Sequence, residues 1–172
     1  MPTFPDDILY VLATFPKQDD GSAIAYYTTV SPPLASPKVL QAYFAALCRT
    51  GITEAFYFVR KQDHRLHREL LEQLIVFVQS TKPGETRAKR AMDLINLPFS
   101  DEEEEWFEEC LLHGKAKHLP GAKDTVMMRR VATGKLENLS SDLEALGGKR
   151  LDGLNWDDLK KNLRPRPSAA GA

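Results

Sequence analysis

The chain has 172 residues, 42% hydrophobic and 27% charged, with a formal net charge of -1. That length and balance suit one packed domain or a short run of stacked helical units, and they exclude a collagen-like repeat, a disulfide scaffold and wholesale disorder. Near-neutrality also removes the basic excess that marks a dedicated nucleic-acid binder. The two cysteines, Cys48 and Cys110, read as buried thiols of a reducing compartment.

The first apolar stretch, residues 8–15, follows Asp6 and Asp7 where a signal peptide would carry basic residues, and no small-residue cleavage site follows it. No stretch approaches the roughly 20 apolar residues of a membrane-spanning helix, so the chain is expected in the aqueous phase.

Asp6 and Asp7 open a short helix that Pro16 ends, the acids sitting well in its first turn. Residues 22–30 form a second run, stopped by Pro32 and Pro33. Ser36 and Pro37 read as N-cap and first helical residue. Behind them Val39, Leu40, Tyr43, Phe44, Leu47 and Cys48 make one apolar stripe, with Gly51 expected as a left-handed cap. Residues 55–60 form the next segment. The clearest helix starts near Asp63 and His64, with Leu66, Leu70, Leu71, Leu74, Ile75 and Val78 opposite Arg68, Glu69, Glu72 and Gln73. Lys82, Pro83 and Gly84 break it.

A following helix is expected to turn Ala88, Ala91, Met92 and Ile95 inward. Ser100 and Glu103 have capping-box spacing ahead of Trp106, Phe107, Cys110 and Leu111, so Trp106 reads as core. Residues 122–133 and 136–146 form a pair around Gly134. Gly147 and Gly148 end the packed part, and a short helix starts at Asn155.

Residues 26–30 and 56–59 have high β-propensity, yet neither alternates polar with apolar, and both lie between helix signals. The expected fold is all-α: an irregular α-solenoid-like stack of short antiparallel helix pairs. Helix–glycine–helix junctions at Gly51 and Gly134 point to it, and no fixed repeat period is present. A helical domain at 1–147 and a C-terminal short helix with a basic, proline-rich tail at 148–172 are the expected divisions.

Chemistry is sparse. His64 and His67, and Cys110 and His113, stand three apart on helices, but neither pair has a second pair to complete a metal site. No nucleophile elbow, phosphate cradle or activated cysteine is present. Seven acids fall within residues 101–109; in the first turns of a helix they suit the macrodipole, with the outward ones solvated. No catalytic, cofactor or metal residue is therefore assigned, and the chain does not read as an enzyme. Lys115, Lys117, His118, Lys123, Arg129, Arg130 and Lys135 form a basic group that either complements those acids or meets an acidic partner. Lys160, Lys161, Arg164 and Arg166 form a basic tail. Trp156, Arg129 and Arg130 are the expected partner-binding residues, since Trp and Arg are enriched at interface hot spots.

Several blocks occur in a telling order: Ala25-Tyr26-Tyr27, Tyr43-Phe44, and Thr53-Glu54-Ala55-Phe56-Tyr57-Phe58-Val59-Arg60. Leu97-Pro98, Glu104-Glu105-Trp106-Phe107-Glu108, Ala122-Lys123-Asp124-Thr125, Met128-Arg129 and Thr133-Gly134 follow. From about residue 4 to about residue 136 the series resembles the ELYS-like domain, in particular its short fungal-type members. The resemblance implies a scaffold nucleoporin of the Y-shaped outer-ring subcomplex at the nuclear envelope, serving pore assembly and protein and mRNA transport without a cofactor. Its partners would be other outer-ring nucleoporins, helical or β-propeller. The start at Met1 falls in a helical region, as in a fragment or a short member. Arg164-Pro165-Arg166-Pro167 lacks the central glycine of an AT-hook, so chromatin binding is not carried over. A helical chromatin or nucleic-acid adaptor using the basic patches is the alternative.

Overall fold

Apolar spacing resolves into eight helices in the computed structural model, which describes residues 4–14 and 19–135. They are α1 (Phe4–Thr14), α2 (Asp20–Val30), α3 (Pro37–Thr50), α4 (Ile52–Arg60), α5 (His64–Ser80), α6 (Glu85–Ile95), α7 (Asp101–Leu112) and α8 (Ala122–Ala132). Among the described residues there is no strand, and the β-prone 26–30 and 56–59 are helical. Side-chain packing overrides propensity there: Tyr27 stacks on Tyr43 at 4.2 Å between ring centroids, and Phe58 meets Tyr43 edge-on at 5.4 Å.

Most helices pack on their neighbours in sequence and, at four places, on the next but one: α1 on α3, α4 on α6, α5 on α7 and α6 on α8. Such stacking is the expected solenoid-like arrangement, with α5 at the centre of the second half. Its fully buried Leu70, Leu71, Leu74 and Ile75 meet Phe56 of α4 and Phe107 and Leu111 of α7 in one continuous core. Each such side chain contributes roughly 1.5–3 kcal/mol through burial.

Caps explain most boundaries. Ser36 accepts the Lys38 amide with Pro37 at the first helical position, Asp63 accepts the Leu66 amide, and Ser100 and Glu103 form a reciprocal capping box. Asp6 does more than favour a dipole. It is wholly buried, and its carboxylate accepts the Leu34 amide at 3.0 Å and the Ala35 amide at 3.2 Å. Those contacts tie α1 to a loop where Ser31 and Leu34 both have positive φ, 48° and 50°.

Two expectations are corrected. Gly51 is extended, with φ -168°, not left-handed; it ends α3 and begins α4 as a single-residue junction. On α6 the inward residues are Ala91, Leu94 and Ile95, whereas Ala88 and Met92 are exposed. Two arginine stems displace the stripe by one position: Arg87 reaches the Pro120 carbonyl, and the Arg90 guanidinium lies 4.7 Å from the Phe77 ring. Pro16, the helix at 136–146, the Gly147–Gly148 break, the boundary at 147, Trp156 and the basic tail all lie outside the described residues.

Candidate protein-docking site

The acid-rich start of α7 is the most concentrated charge in the chain. Its capping box turns Glu103 inward, where it is 1% exposed. There the carboxylate accepts Arg60 Nε at 2.9 Å and Nη2 at 2.6 Å, His67 Nε2 lies 2.8 Å away, and the Ser100 amide donates at 2.7 Å. Burial by itself would raise this carboxyl. Hydrogen bonds from Arg60, Ser100 and His67, with the Arg60 charge, outweigh it and hold the group at about 2.

Four of the neighbouring acids are matched one by one. Glu104 binds Arg129, Glu108 binds Arg130 through two contacts of 2.9 Å, Glu109 meets Arg68 at 3.0 Å, and Glu102 meets His64 at 2.9 Å. Lys115 reaches Glu72 of α5 at 2.9 Å. Of the two readings of the basic group, Lys115, Arg129 and Arg130 therefore follow the first: they complement acids of this same fold. Ionised carboxylates held by cations suit a fixed lattice and not a proton donor near neutral pH.

Arg129 stands inside the fold at 6% exposure. Its guanidinium donates to Glu104 and to the Ile95 and Leu97 carbonyls and lies 4.7 Å from the Phe99 ring. Arg130, half-buried, holds Glu108. Trp156, the third expected partner residue, is outside the described region. Trp106 is buried, with the His64 and His67 rings edge-on at 5.3 and 5.4 Å and Arg68 over it at 5.8 Å.

The two histidines thus serve the α5–α7 contact, and among the described residues no cluster of three or more His, Cys, Asp or Glu is placed to hold a metal. Cys48 and Cys110 are free and buried, and burial pushes their thiols up to about 12 and about 11. Such thiols are poor nucleophiles.

What remains open for contact is surface. A polar cleft of 520 Å³ lies between the α3–α4 junction and α6, bordered by Arg49, Glu54, Lys89, Arg90 and Asp93. A shallower groove of 340 Å³ separates the start of α3 from the start of α5, floored by Leu34, Leu40 and Leu66. Exposed apolar side chains mark α1 (Phe4, Val11), α4 (Tyr57), α6 (Met92) and α8 (Met128, Val131). Sequence pattern could not isolate the clefts, because residues distant in the chain form them. On α1 the signal was present: apolar residues occur on both sides of the helix, one side more than its own core needs.

Most aromatic residues of the family blocks share one fate, the exposed Tyr57 being the exception. Tyr27, Tyr43, Phe44, Phe56, Phe58, Trp106 and Phe107 all lie in or against the core, so the ordered series records how the domain packs. No described helix is long and apolar enough to cross a membrane. Residues 1–114, reaching to the end of α7, match the ELYS family model, described as nuclear pore complex assembly. No curated protein and no solved structure matches the chain. ELYS is a family of non-catalytic nucleoporins, and membership carries a role in nuclear pore complex assembly and suggests a location there. With two thirds of its length matched, and the signature residues packed into one helical core, the chain belongs to the ELYS family.

Proposed function

We propose that this chain is a structural scaffold subunit of the outer-ring, Y-shaped subcomplex of the nuclear pore. It would contribute to pore assembly, and through it to protein and mRNA transport, by docking on helical or β-propeller nucleoporins. The observation that carries this reading is the family match over residues 1–114, which spans seven of the eight described helices. The structure adds support of a second kind: its densest charge cluster and both histidine neighbours on α5 are committed to helix–helix contacts within the fold. A surface of apolar patches and shallow clefts is left for partners.

Trp156 is the proposed anchor within the C-terminal region. The chromatin-adaptor alternative is weakened, because Lys115, Arg129 and Arg130 bind Glu72, Glu104 and Glu108 in place of phosphate. Affinity purification of the tagged full chain, followed by mass spectrometry, tests the reading. Enrichment of outer-ring nucleoporins is expected, with weaker recovery by Trp156→Ala. Enrichment of histones or nucleic acid, lost steeply with salt, would favour the adaptor.

A further inference from the structure

Two helix starts border the 340 Å³ groove: Pro37, Leu40 and Gln41 of α3 on one side, Arg65, Leu66 and Glu69 of α5 on the other. On each helix these residues fall within an arc of about 100°, so each helix presents one face to the opening. Leu40 is buried and Leu66 half-buried, and Leu34 with Ala35 completes the apolar wall from the loop before α3.

That loop is held in an unfavourable shape. Leu34 has φ 50°, a left-handed conformation that a branched side chain rarely adopts. The wholly buried Asp6 carboxylate fixes it by accepting the Leu34 and Ala35 amides at 3.0 and 3.2 Å, 28 and 29 residues along the chain. Glycine would take the same backbone freely, so what a leucine adds there is its side chain. That side chain is only half-buried, and it lines the groove.

Polar groups at the rim are left open. Asp63 is engaged, its carboxylate capping α5 through the Leu66 amide. Gln41 and Arg65 make no hydrogen bond or ion pair among the described residues, and Glu69 feels the charge of Lys115 without pairing with it. Arg65 and Glu69 stand one turn apart on α5, a cation followed by an anion.

We propose that this groove seats an amphipathic helix of a partner protein. Two apolar side chains enter between α3 and α5, and an acid and a base, one turn apart, meet Arg65 and Glu69. The inference rests on the scaffold reading above and gives that reading a docking surface. Length suits a helix: residues 63–69 span about 9 Å, nearly two turns, which matches anchors three or four residues apart. Other ways of binding a peptide lack their requirements here. No strand is present among the described residues to extend, and no aromatic ring lines the groove to hold a polyproline segment. A second copy fits less well. Its most exposed apolar side chain, Phe4, lies on α1, whose only charges are Asp6 and Asp7, so that helix has nothing to offer Glu69.

A benzophenone photo-cross-linker in place of Gln41, in the tagged full chain expressed in cells, reads the occupant directly. Irradiation should join it to one segment of an outer-ring nucleoporin that carries two apolar residues three or four apart beside an acid and a base. Joining to a second copy of this chain, or to a segment without that pattern, would overturn the proposal. Arg65→Glu changes an exposed position and should lower recovery of that nucleoporin about fivefold at unchanged circular dichroism. Leu34→Gly should lower it similarly while thermal stability holds, because relief of the backbone offsets the lost contact. With nucleoporins recovered by the parent chain, full recovery by both variants removes the groove and leaves the scaffold reading standing. No nucleoporin recovered by the parent removes both.

Discussion

Helices α1–α3 are closed mainly by aromatic rings and one buried carboxylate, whereas α4–α8 are closed by an ion-pair lattice centred on α7. In the first region Tyr27 stacks on Tyr43, the pair meeting Phe58 of α4 edge-on, and Asp6 receives two backbone amides. Among the described residues, the ion pair of Arg49 with Asp20 crosses it. In the second, α7 carboxylates meet basic groups from α4, α5 and α8, so one helix sets the register of three others. Seven acids in nine residues look like a solvated or binding surface when read along the chain. In three dimensions most of them are keys, fitted between them to three other helices.

The largest effect that would sharpen this contrast is expected at Glu103. Glu103→Gln keeps the shape but removes the charge that Arg60 and His67 share, and it should cost about 3 kcal/mol in denaturant unfolding. A loss below about 0.5 kcal/mol would mean that the lattice is ornamental. The same carboxyl makes acid sensitivity a signature of the second region. Its folded value lies near 2 against an ordinary 4.5, so its contribution is fully present above pH 4.5 and disappears as pH falls toward 2. Parent and Glu103→Gln stabilities should therefore converge over that window, as followed by circular dichroism; a constant gap would break the assignment.

In the first region Asp6→Ala should cost about 2 kcal/mol, because the Leu34 and Ala35 amides lose their acceptor. Thermal unfolding reads this directly. The smallest effect is a gain. Ser31 caps α2 in the left-handed region at φ 48°, so Ser31→Gly should stabilise by up to about 1 kcal/mol; destabilisation would show that its side chain, not its backbone, matters there.

Much of the architecture was legible in local pattern. Caps at Ser36, Asp63 and Ser100, and the stripes of α3 and α5, carry their signals within one or two turns. Failures occurred where a distant group decides the outcome. Arg87 and Arg90 occupy inward positions of α6 by reaching Pro120 and Phe77, which no helical count of apolar residues reveals. Gly51 adopts an extended conformation because α4 begins directly after it. The inward turn of Arg129 depends on Glu104 and on the Ile95 and Leu97 carbonyls, all more than twenty residues earlier in the chain. Docking faces were the least legible, since a surface is defined by what the core leaves over.

The central claim is that this helical domain works as a pore-assembly scaffold. Imaging the fluorescently tagged full chain in living cells, beside a labelled outer-ring nucleoporin, tests it most directly. A punctate nuclear rim coinciding with that marker is the expected result; a diffuse signal, or one that follows chromatin, would contradict it.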